Sequence, residues 1–261
     1  MQDQQPKNLM LSLPDGLVVD RSWLQAKGFA RSSMDYFIRS GKLESVGRGA
    51  YRRPGPPLKW QHLAYSLQEL GYSSHIGGRT ALDLQGFAHY LPLGGIQTVE
   101  LYGISKLPGW LLEIQTTPQF EACGTAGFKQ LPEQALTSQP FGHWDWPLRF
   151  ATPELAIFEL LAQVSNEADF SLLDKYFESS PTLRPALCNS LLQTCNNIKS
   201  KRLFLWFAHR QQHPWLAHVE TTDVNLGSGK RMIIRGGALD KTYQITVPRH
   251  MLEEQDAPDF F

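Results

Sequence analysis

The segment YFIRSGKLESVGRGAYRR, residues 36–53, holds a dense group of side chains whose types suit one chemistry. It contains five Lys and Arg residues, although the whole chain of 261 residues has 25 Lys and Arg against 25 Asp and Glu. Residues 1–57 hold nine basic and five acidic residues, whereas residues 58–220 hold eleven and fourteen, and residues 221–261 hold five and six. A local positive excess of this kind is typical of a surface that attracts a polyanion. The alternative is a basic surface that only keeps the protein in solution.

Two short helices are predicted to position these cations. In LVVDRSWLQAKGF, Asp20 is placed to cap a helix whose apolar residues turn inward and which ends at Gly28. After a turn, SSMDYFIRS predicts a second helix, capped by Ser32 or Ser33 and ended by Gly41. At 100° per residue, the second helix has an apolar face and an opposite polar face. The apolar face consists of Met34, Phe37 and Ile38, and the polar face of Ser32, Asp35, Tyr36 and Arg39.

A basic hairpin is predicted to follow the second helix. KLESV and AYRR have the composition of two short strands, and GRG between them is suited to a tight turn with glycine at positive φ. Helix, turn, helix and basic hairpin together are the pattern of a winged helix. Winged helices also mediate protein contacts, but the basic residue at the hairpin tip favours DNA.

The second helix is predicted to read DNA bases. A helix fits the major groove and contacts base edges only through its outward face. Arg39 is the candidate for a guanine contact. Asp35 could pair with Arg39 four residues further on or accept from a cytosine amino group, and we favour the pair. In the hairpin, Arg48 would reach the minor groove or the backbone, and its basic neighbours would neutralise phosphates, so binding should depend strongly on salt. The candidate DNA-binding residues are Arg31, Ser32, Ser33, Tyr36, Arg39, Lys42, Arg48, Tyr51, Arg52 and Arg53.

The remainder of the chain predicts a larger unit of mixed helices and strands. LKWQHLAYSLQELGY predicts a helix, and TVELYGI and WLLEIQTT predict strands. Further helices are predicted in TPELAIFELLAQV, with Thr152 as cap, and in DFSLLDKYFESS, LRPALCNSLLQTC and KSKRLFLWFAHRQQ. The fold class is therefore α+β, an N-terminal winged helix-turn-helix domain followed by a larger mixed α/β domain. The proline cluster RRPGPP places the expected boundary between residues 1–57 and 58–261.

Neither metal chemistry nor a disulfide framework is expected. The three cysteines include no CxxC pair, and Cys188 and Cys195 are interpreted as core residues on one helix face. In HRQQH, His209 and His213 have the spacing of a zinc helix, but the glutamate of HExxH is missing and spacing places no further ligand. We expect no metal, no cofactor and no catalytic residue.

The carboxyl-terminal part offers a second basic surface. LGSGKRM resembles a phosphate loop in composition, but the first glycine of GxxxxGK[ST] is not in place, so we interpret it as a glycine-rich hairpin turn. MIIRGGALDKTYQITVP alternates like two strands around a GGALD turn. The basic residues that such a hairpin would place on one edge are Lys230, Arg231, Arg235 and Lys241. They are either a solubilising strand surface or a contact surface for a protein, a nucleotide, a tRNA or another anion.

No export signal or membrane span is expected. The start MQDQQPKN lacks a basic segment followed by an apolar run, and apolar runs such as LFLWFA are far shorter than a bilayer requires. The expected location is the cytoplasm.

Beyond these local patterns, the chain resembles the AbiEi antitoxin family of type IV toxin–antitoxin systems. The similarity lies in LPDGLVVDRSWLQAKGFARSSMDYFIRSGKLESVGRGAYRRP, in WQHLAYSLQ and HIGGRTALDLQGFAHYLPLG, and in VNLGSGKRMIIRGGALDKTYQITVP near the end. It implies an N-terminal winged helix that represses the operon's own promoter at inverted repeats. It also implies a C-terminal domain that counteracts a nucleotidyltransferase-like toxin encoded beside it.

Carried over by position, the DNA role falls on residues 32–40 and 42–53, and antitoxicity falls on the larger domain. The expected partners are double-stranded promoter DNA and the toxin, and no catalysis is required. Two alternatives remain open. In one, the larger domain binds a nucleotide through residues 227–231 and modifies the toxin; in the other, it sequesters the toxin in a complex.

Overall fold

The structure is a computed structural model that describes residues 9–87 and 95–253. Its helices are α1 Leu9–Ser12, α2 Arg21–Ala26, α3 Arg31–Arg39, α4 Trp60–Glu69, α5 Gly78–Leu84, α6 Gly109–Leu112, α7 Pro153–Gln163, α8 Glu167–Glu178, α9 Pro185–Thr194, α10 Ile198–Gln211 and α11 Arg249–Glu253. Its strands are β1 Val19–Asp20, β2 Glu44–Gly47, β3 Ala50–Arg52, β4 His75–Ile76, β5 Thr98–Tyr102, β6 Gln119–Ala122, β7 Leu136–Phe141, β8 Trp146–Ala151, β9 Ala238–Asp240 and β10 Ile245–Val247. Short 3₁₀ helices cover Glu133–Ala135 and Pro214–His218. The fold class is α+β, as predicted.

The N-terminal region forms the predicted arrangement of two helices and a hairpin. The carboxylate of Asp20 accepts a hydrogen bond from the Trp23 amide at 2.7 Å and so caps α2. β2 and β3 are antiparallel, and β1 pairs with the other edge of β3 to give a three-stranded sheet. Leu24, Met34 and Leu43 are each about 1% exposed at the centre of this small core. α3 therefore packs its apolar face inward and presents the opposite face to solvent.

The predicted start of α3 is wrong by two or three residues. The helix begins at Arg31 with Ala30 as its N-cap residue, and no side chain caps it. Ser32 and Ser33 lie in its first turn instead. Gly28, at φ +83°, ends α2 and allows the extended Ala30 to accept the first helical hydrogen bond from Met34. The serine hydroxyls are consequently not used as caps.

The larger unit is built on a five-stranded mixed sheet with the strand order β6-β5-β4-β8-β7. Helices α7 to α10 match the four predicted helices, and their core includes a stack of Phe158 on Phe204 with ring centres 4.6 Å apart. Pro153 starts α7 as predicted, although the Thr152 hydroxyl makes no capping bond. Cys188 and Cys195 are both buried, as predicted.

The strand predicted in WLLEIQTT is wrong. Trp110 and Leu111 are adjacent and both buried, which is incompatible with the alternation of a half-buried strand, and they lie in α6. Pro108 has the extended backbone of an N-cap residue before this helix. The strand of this region comes later, as β6, and it pairs in parallel with β5.

The two parts of the molecule are in contact. Trp146 of β8 belongs to the small N-terminal core, and it stacks on Tyr65 of α4 with ring centres 4.7 Å apart. Val18 and Ala50 of the N-terminal region pack in turn against the larger core. The boundary after residue 57 stays a prediction.

None of the helices in the described parts of the chain is long and apolar enough to cross a membrane.

Candidate nucleic-acid interface

The outward face of α3 presents polar and basic side chains to solvent. Arg31, Ser32 and Arg39 are exposed, Tyr36 is 52% exposed, and Ser33 is half-buried. Lys42 lies beyond the end of the helix, and its ammonium is 5.5 Å from the centre of the Tyr36 ring. This cation–π contact holds a positive charge next to the aromatic side chain. The face thus combines hydrogen-bonding groups with cations that can reach a phosphate.

The predicted ion pair between Asp35 and Arg39 is wrong. Asp35 pairs with Arg21 of α2 at 3.1 Å, and the Arg21 Nε donates to the Tyr51 hydroxyl at 3.3 Å. Because Arg21 lies between α3 and β3, it offers Asp35 a partner that bridges three elements. In the described parts of the chain Arg39 has no carboxylate partner, so its guanidinium is available to a ligand.

The hairpin of β2 and β3, which we call the wing, carries an exposed arginine at its tip. Gly49, at φ +80°, closes the turn between β2 and β3, and Arg48 beside it is exposed. The Arg48 amide donates to the Glu113 carboxylate at 2.8 Å, and a Cβ on Gly47 would lie only 2.7 Å from the Trp110 carbonyl oxygen. The wing is therefore docked against the segment that contains α6. Sequence inspection missed Trp110 and Glu113, because nothing in the sequence marks a contact across more than 60 residues.

Two arginines of the predicted set are turned toward the protein. Arg52 pairs with Glu44 and donates to the Pro56 carbonyl at 2.7 Å. Arg53 pairs with Asp15 at 3.2 Å and donates to the Leu13 carbonyl at 3.1 Å. Their side chains are 13% and 15% exposed, respectively. These residues fasten the wing to the proline segment and to the start of the chain, and their charges are largely compensated there.

The terminal hairpin differs from its prediction. β9 already contains the ALD of GGALD, so the turn joining the two strands falls at residues 241–244. Lys230, Arg231, Arg235 and Lys241 are all exposed. The Arg231 amide donates to the Gln244 carbonyl at 2.8 Å, which places Arg231 and Lys241 at the turn end of the hairpin. Arg235 follows Ile234, whose carbonyl accepts from the Thr246 hydroxyl, and lies nearer the other end.

The glycine-rich segment LGSGKRM is a loop around a buried arginine rather than a hairpin turn. Arg202 of α10 is 3% exposed and donates to the carbonyls of Leu226 and Gly229, both at 2.7 Å. Burial lowers the pKa of Arg202, and the neighbouring charge of Arg231 adds to the effect. A phosphate loop directs backbone N–H groups at its ligand, whereas this loop directs carbonyls at a cation. Its geometry does not suit phosphate binding.

The two histidines of HRQQH are engaged in packing. The His209 Nδ1 lies 2.6 Å from the Tyr243 hydroxyl and 2.8 Å from the Leu205 carbonyl, and the His213 Nε2 lies 2.7 Å from the Phe177 carbonyl. Over residues 9–87 and 95–253, no group of three His, Cys, Asp or Glu side chains is arranged to hold a metal ion.

A second polar cluster lies between the sheet and α7. Glu100 accepts from the Arg79 amide at 2.8 Å, and burial raises its pKa to about 7, with the charges of Glu121 and Glu159 adding to the effect. Burial also raises the pKa of Cys123 to about 12, so its thiol stays protonated and is a poor nucleophile. Because the cluster is assembled from separate elements, no local motif predicted it.

Comparisons with known proteins match nearly the whole chain. Residues 2–93 match the family model described as transcriptional regulator, AbiEi antitoxin N-terminal domain. Residues 96–248 match the model described as transcriptional regulator, AbiEi antitoxin, Type IV TA system. No curated protein matches the chain.

Among solved structures, the crystal structure of the RV2827C protein from Mycobacterium tuberculosis is similar, with a TM-score of 0.50 and 13% sequence identity. The similarity covers 92% of this chain and 90% of that chain, and it concerns the fold alone. The two family models together span both the winged-helix region and the larger unit. The chain therefore belongs to the AbiEi antitoxins, a family of transcriptional regulators from type IV toxin–antitoxin systems.

Proposed function

We propose that this protein represses its own operon by binding inverted repeats in promoter DNA through α3 and the wing, and that it acts in the cytoplasm. The observation that carries the proposal is that four cations of α3 and the wing are exposed, Arg31, Arg39, Lys42 and Arg48. Within residues 9–87 and 95–253 none of them makes an ion pair, so their charge is available to phosphates. Arg39 would contact a base, and the other three would contact the DNA backbone.

Arg52 and Arg53 have a different role in this proposal. They keep the wing in place, and because Glu44 and Asp15 compensate their charges, they are not expected to reach phosphates directly. Tyr51 likewise supports Arg21, and Ser32 and Ser33 are candidates for hydrogen bonds to the backbone of the DNA.

The DNA proposal is tested by fluorescence anisotropy with a labelled duplex from the chain's own promoter and with a scrambled duplex. Arg39→Ala should cost about 1–3 kcal/mol of binding free energy on the promoter and much less on the scrambled duplex. Arg48→Ala should weaken binding to both and reduce the slope of log K against log salt by about 1. Arg235→Ala removes an exposed cation elsewhere and serves as the control. If the Arg39 and Arg48 variants both keep the wild-type affinity and salt slope, DNA binds elsewhere or not at all.

We further propose that the larger unit counteracts a nucleotidyltransferase-like toxin encoded beside the gene, without catalysis. The supporting observation is the exposed basic group Lys230, Arg231, Arg235 and Lys241, whose members are free of ion pairs in the described residues. The alternative of a nucleotide-dependent enzyme acting through residues 227–231 is disfavoured by carbonyls that point at Arg202. Sequestration of the toxin in a stable complex is a second possible route to the same effect.

The antitoxin proposal is tested by growth rescue in cells that express the toxin. A variant with all four residues changed to Ala should lose rescue while keeping its promoter affinity, because the substituted side chains are exposed and distant in sequence from α3. The Arg39→Ala variant should do the reverse. If the fourfold variant rescues fully, the basic group is not the antitoxin surface. Co-purification of the toxin with the wild-type chain would identify sequestration as the route.

A further inference from the structure

A cavity of about 310 Å³ opens beside the polar cluster of the central sheet, and its lining includes no residue of α3, the wing or the terminal hairpin. It is enclosed by the segment that leads into β4, by the loop between β6 and β7, by β7 and β8, and by one side chain of α7. Its lining residues are Ser73, Ser74, His75, Gly103, Thr125, Phe128, Lys129, Leu131, Leu136, Arg149 and Glu159. A volume near 300 Å³ lies within the range of small-molecule sites.

The wall of this cavity contains a buried hydroxyl that lacks a partner. Ser74 is 2% exposed, and its Oγ makes no hydrogen bond within the described parts of the chain. Buried hydroxyls usually have a hydrogen-bond partner, so an unpaired one that lines a cavity is available to a polar group of a ligand. The backbone beside it is held firmly, because Gly103 at φ +85° approaches the Ser73 carbonyl so closely that no Cβ would fit. The hydroxyl is thus held at a fixed place in the wall.

The rim of the cavity is cationic. Lys129 and Arg149 are exposed and have no carboxylate partner in residues 9–87 or 95–253. The backbone of Arg149 is fixed on both sides by the Gln68 carboxamide, with both hydrogen bonds at 3.1 Å. A guanidinium and an ammonium at one opening favour a ligand group with two negative charges, such as a phosphate.

The single carboxylate in the lining does not oppose an anion. Glu159 is 1% exposed; one of its oxygens bonds the His75 Nε2 at 2.5 Å and the other accepts from the Gly78 amide at 2.9 Å. Both oxygens are thereby committed within the protein. Part of the remaining wall is apolar and consists of Phe128, Leu131 and Leu136, and Ser73 and Thr125 add polar side chains.

We propose that this cavity binds a free mononucleotide. The phosphate would lie between Lys129 and Arg149, the Ser74 hydroxyl would bond a polar group of the ligand, and the base would pack on Phe128 and its apolar neighbours. The two cations would bind the phosphate. The apolar part of the wall would pack against the planar base, which inorganic phosphate lacks. This site is separate from the DNA-binding face and from the loop around Arg202.

Isothermal titration calorimetry of the full chain tests the proposal, with AMP, GMP, CMP and UMP and their triphosphates as probes. At least one nucleotide should bind, and its nucleoside and inorganic phosphate should each bind at least about tenfold more weakly. Lys129→Ala and Arg149→Ala should each weaken binding about tenfold or more, since each removes a charge-assisted hydrogen bond. Ser74→Ala should weaken it several-fold. Lys106→Ala, which changes an exposed cation outside the cavity lining, should bind as the wild type does.

A further variant tests the cavity independently of charge. Thr125 is exposed at the opening, so Thr125→Trp should fold normally and obstruct entry, which its circular dichroism and melting temperature would verify. It should abolish nucleotide binding. The proposal is overturned if no nucleotide binds, if the nucleoside or inorganic phosphate binds as tightly as the nucleotide, or if the Lys129, Arg149 and Thr125 variants bind as the wild type does.

Discussion

The winged-helix region and the larger unit hold their inward-facing charges in different ways. In the winged-helix region, inward arginines meet carboxylates near the surface, as in the pairs of Arg52 with Glu44, Arg53 with Asp15 and Arg21 with Asp35. In the larger unit, some charged groups are buried among neutral partners: Arg202 bonds carbonyls, and Glu100 accepts from a backbone amide. In the first region arginine charges are therefore compensated by ion pairs near the surface, whereas in the larger unit Arg202 and Glu100 depend on backbone groups, beside ion pairs such as that of Glu154 with Arg184.

This difference indicates how each region responds to substitution. A half-exposed ion pair is screened by water and contributes little, so the winged-helix region should tolerate changes in its charges. When a buried charge that is held by backbone groups is removed, those groups lose their hydrogen-bond partner. The larger unit should therefore tolerate substitution of its buried charges poorly. The exposed cations that we assign to DNA binding can be substituted without loss of stability, because their side chains do not support the fold.

The largest effect is expected from Arg202. Arg202→Met keeps much of the volume but leaves the carbonyls of Leu226 and Gly229 without the donor that Arg202 supplies, and the Gln244 carbonyl keeps only the Arg231 amide. We expect the free energy of unfolding to fall by about 3–5 kcal/mol, measured by urea denaturation. The matched control is Arg231→Met, an exposed neighbour, which should change it by less than about 0.5 kcal/mol. Equal effects in the two variants would contradict the distinction between buried and exposed cations.

A smaller effect is expected from Arg52. Arg52→Ala removes the pair with Glu44 and the bonds to Pro56 and Gly55, at a site where only the carboxylate partner is substantially exposed. The free energy of unfolding should fall by about 1–2 kcal/mol, whereas Arg48→Ala at the exposed tip should leave it unchanged. Promoter affinity should respond in the opposite order, with Arg48→Ala the more harmful. If Arg52→Ala weakens DNA binding more than Arg48→Ala without loss of stability, then Arg52 contacts DNA directly.

The sequence predicted much of the fold but not which arginines face solvent and which face the protein. Helices α7 to α10 were predictable because they are long and their apolar residues recur at helical spacing. The winged-helix pattern was predictable because cap, turn and glycine signals agree over a short segment. α6 was not, since four residues carry no periodicity and its role is set by contact with β2.

Only part of the candidate DNA-binding site was predictable from the sequence. The outward direction of Arg39 follows from the period of α3, and the exposure of Arg48 follows from its place in a turn. The inward direction of Arg53 depends on the Leu13 carbonyl, which only the tertiary fold brings near, and that of Arg52 depends on the local course of the proline segment at Pro56. The buried surroundings of Glu100 likewise come from separate elements, so no spacing rule predicted them.

The smallest effect concerns pH and distinguishes Glu100 from the surface carboxylates. Burial raises its pKa from the ordinary 4.5 to about 7, so between these values the folded chain retains a proton that the unfolded chain releases. Stability from this group should therefore be greatest at low pH and fall as the pH rises from about 4.5 to about 7. Glu100→Gln should remove this fall and stabilise the protein at pH 8 relative to pH 5 by about 1 kcal/mol, since Glu100 is only partly buried. Urea unfolding at the two pH values measures the difference. Glu133→Gln, at an exposed position outside the cluster, should keep the wild-type pH dependence. An identical pH dependence in both variants would show that the surroundings of Glu100 do not disfavour its charge.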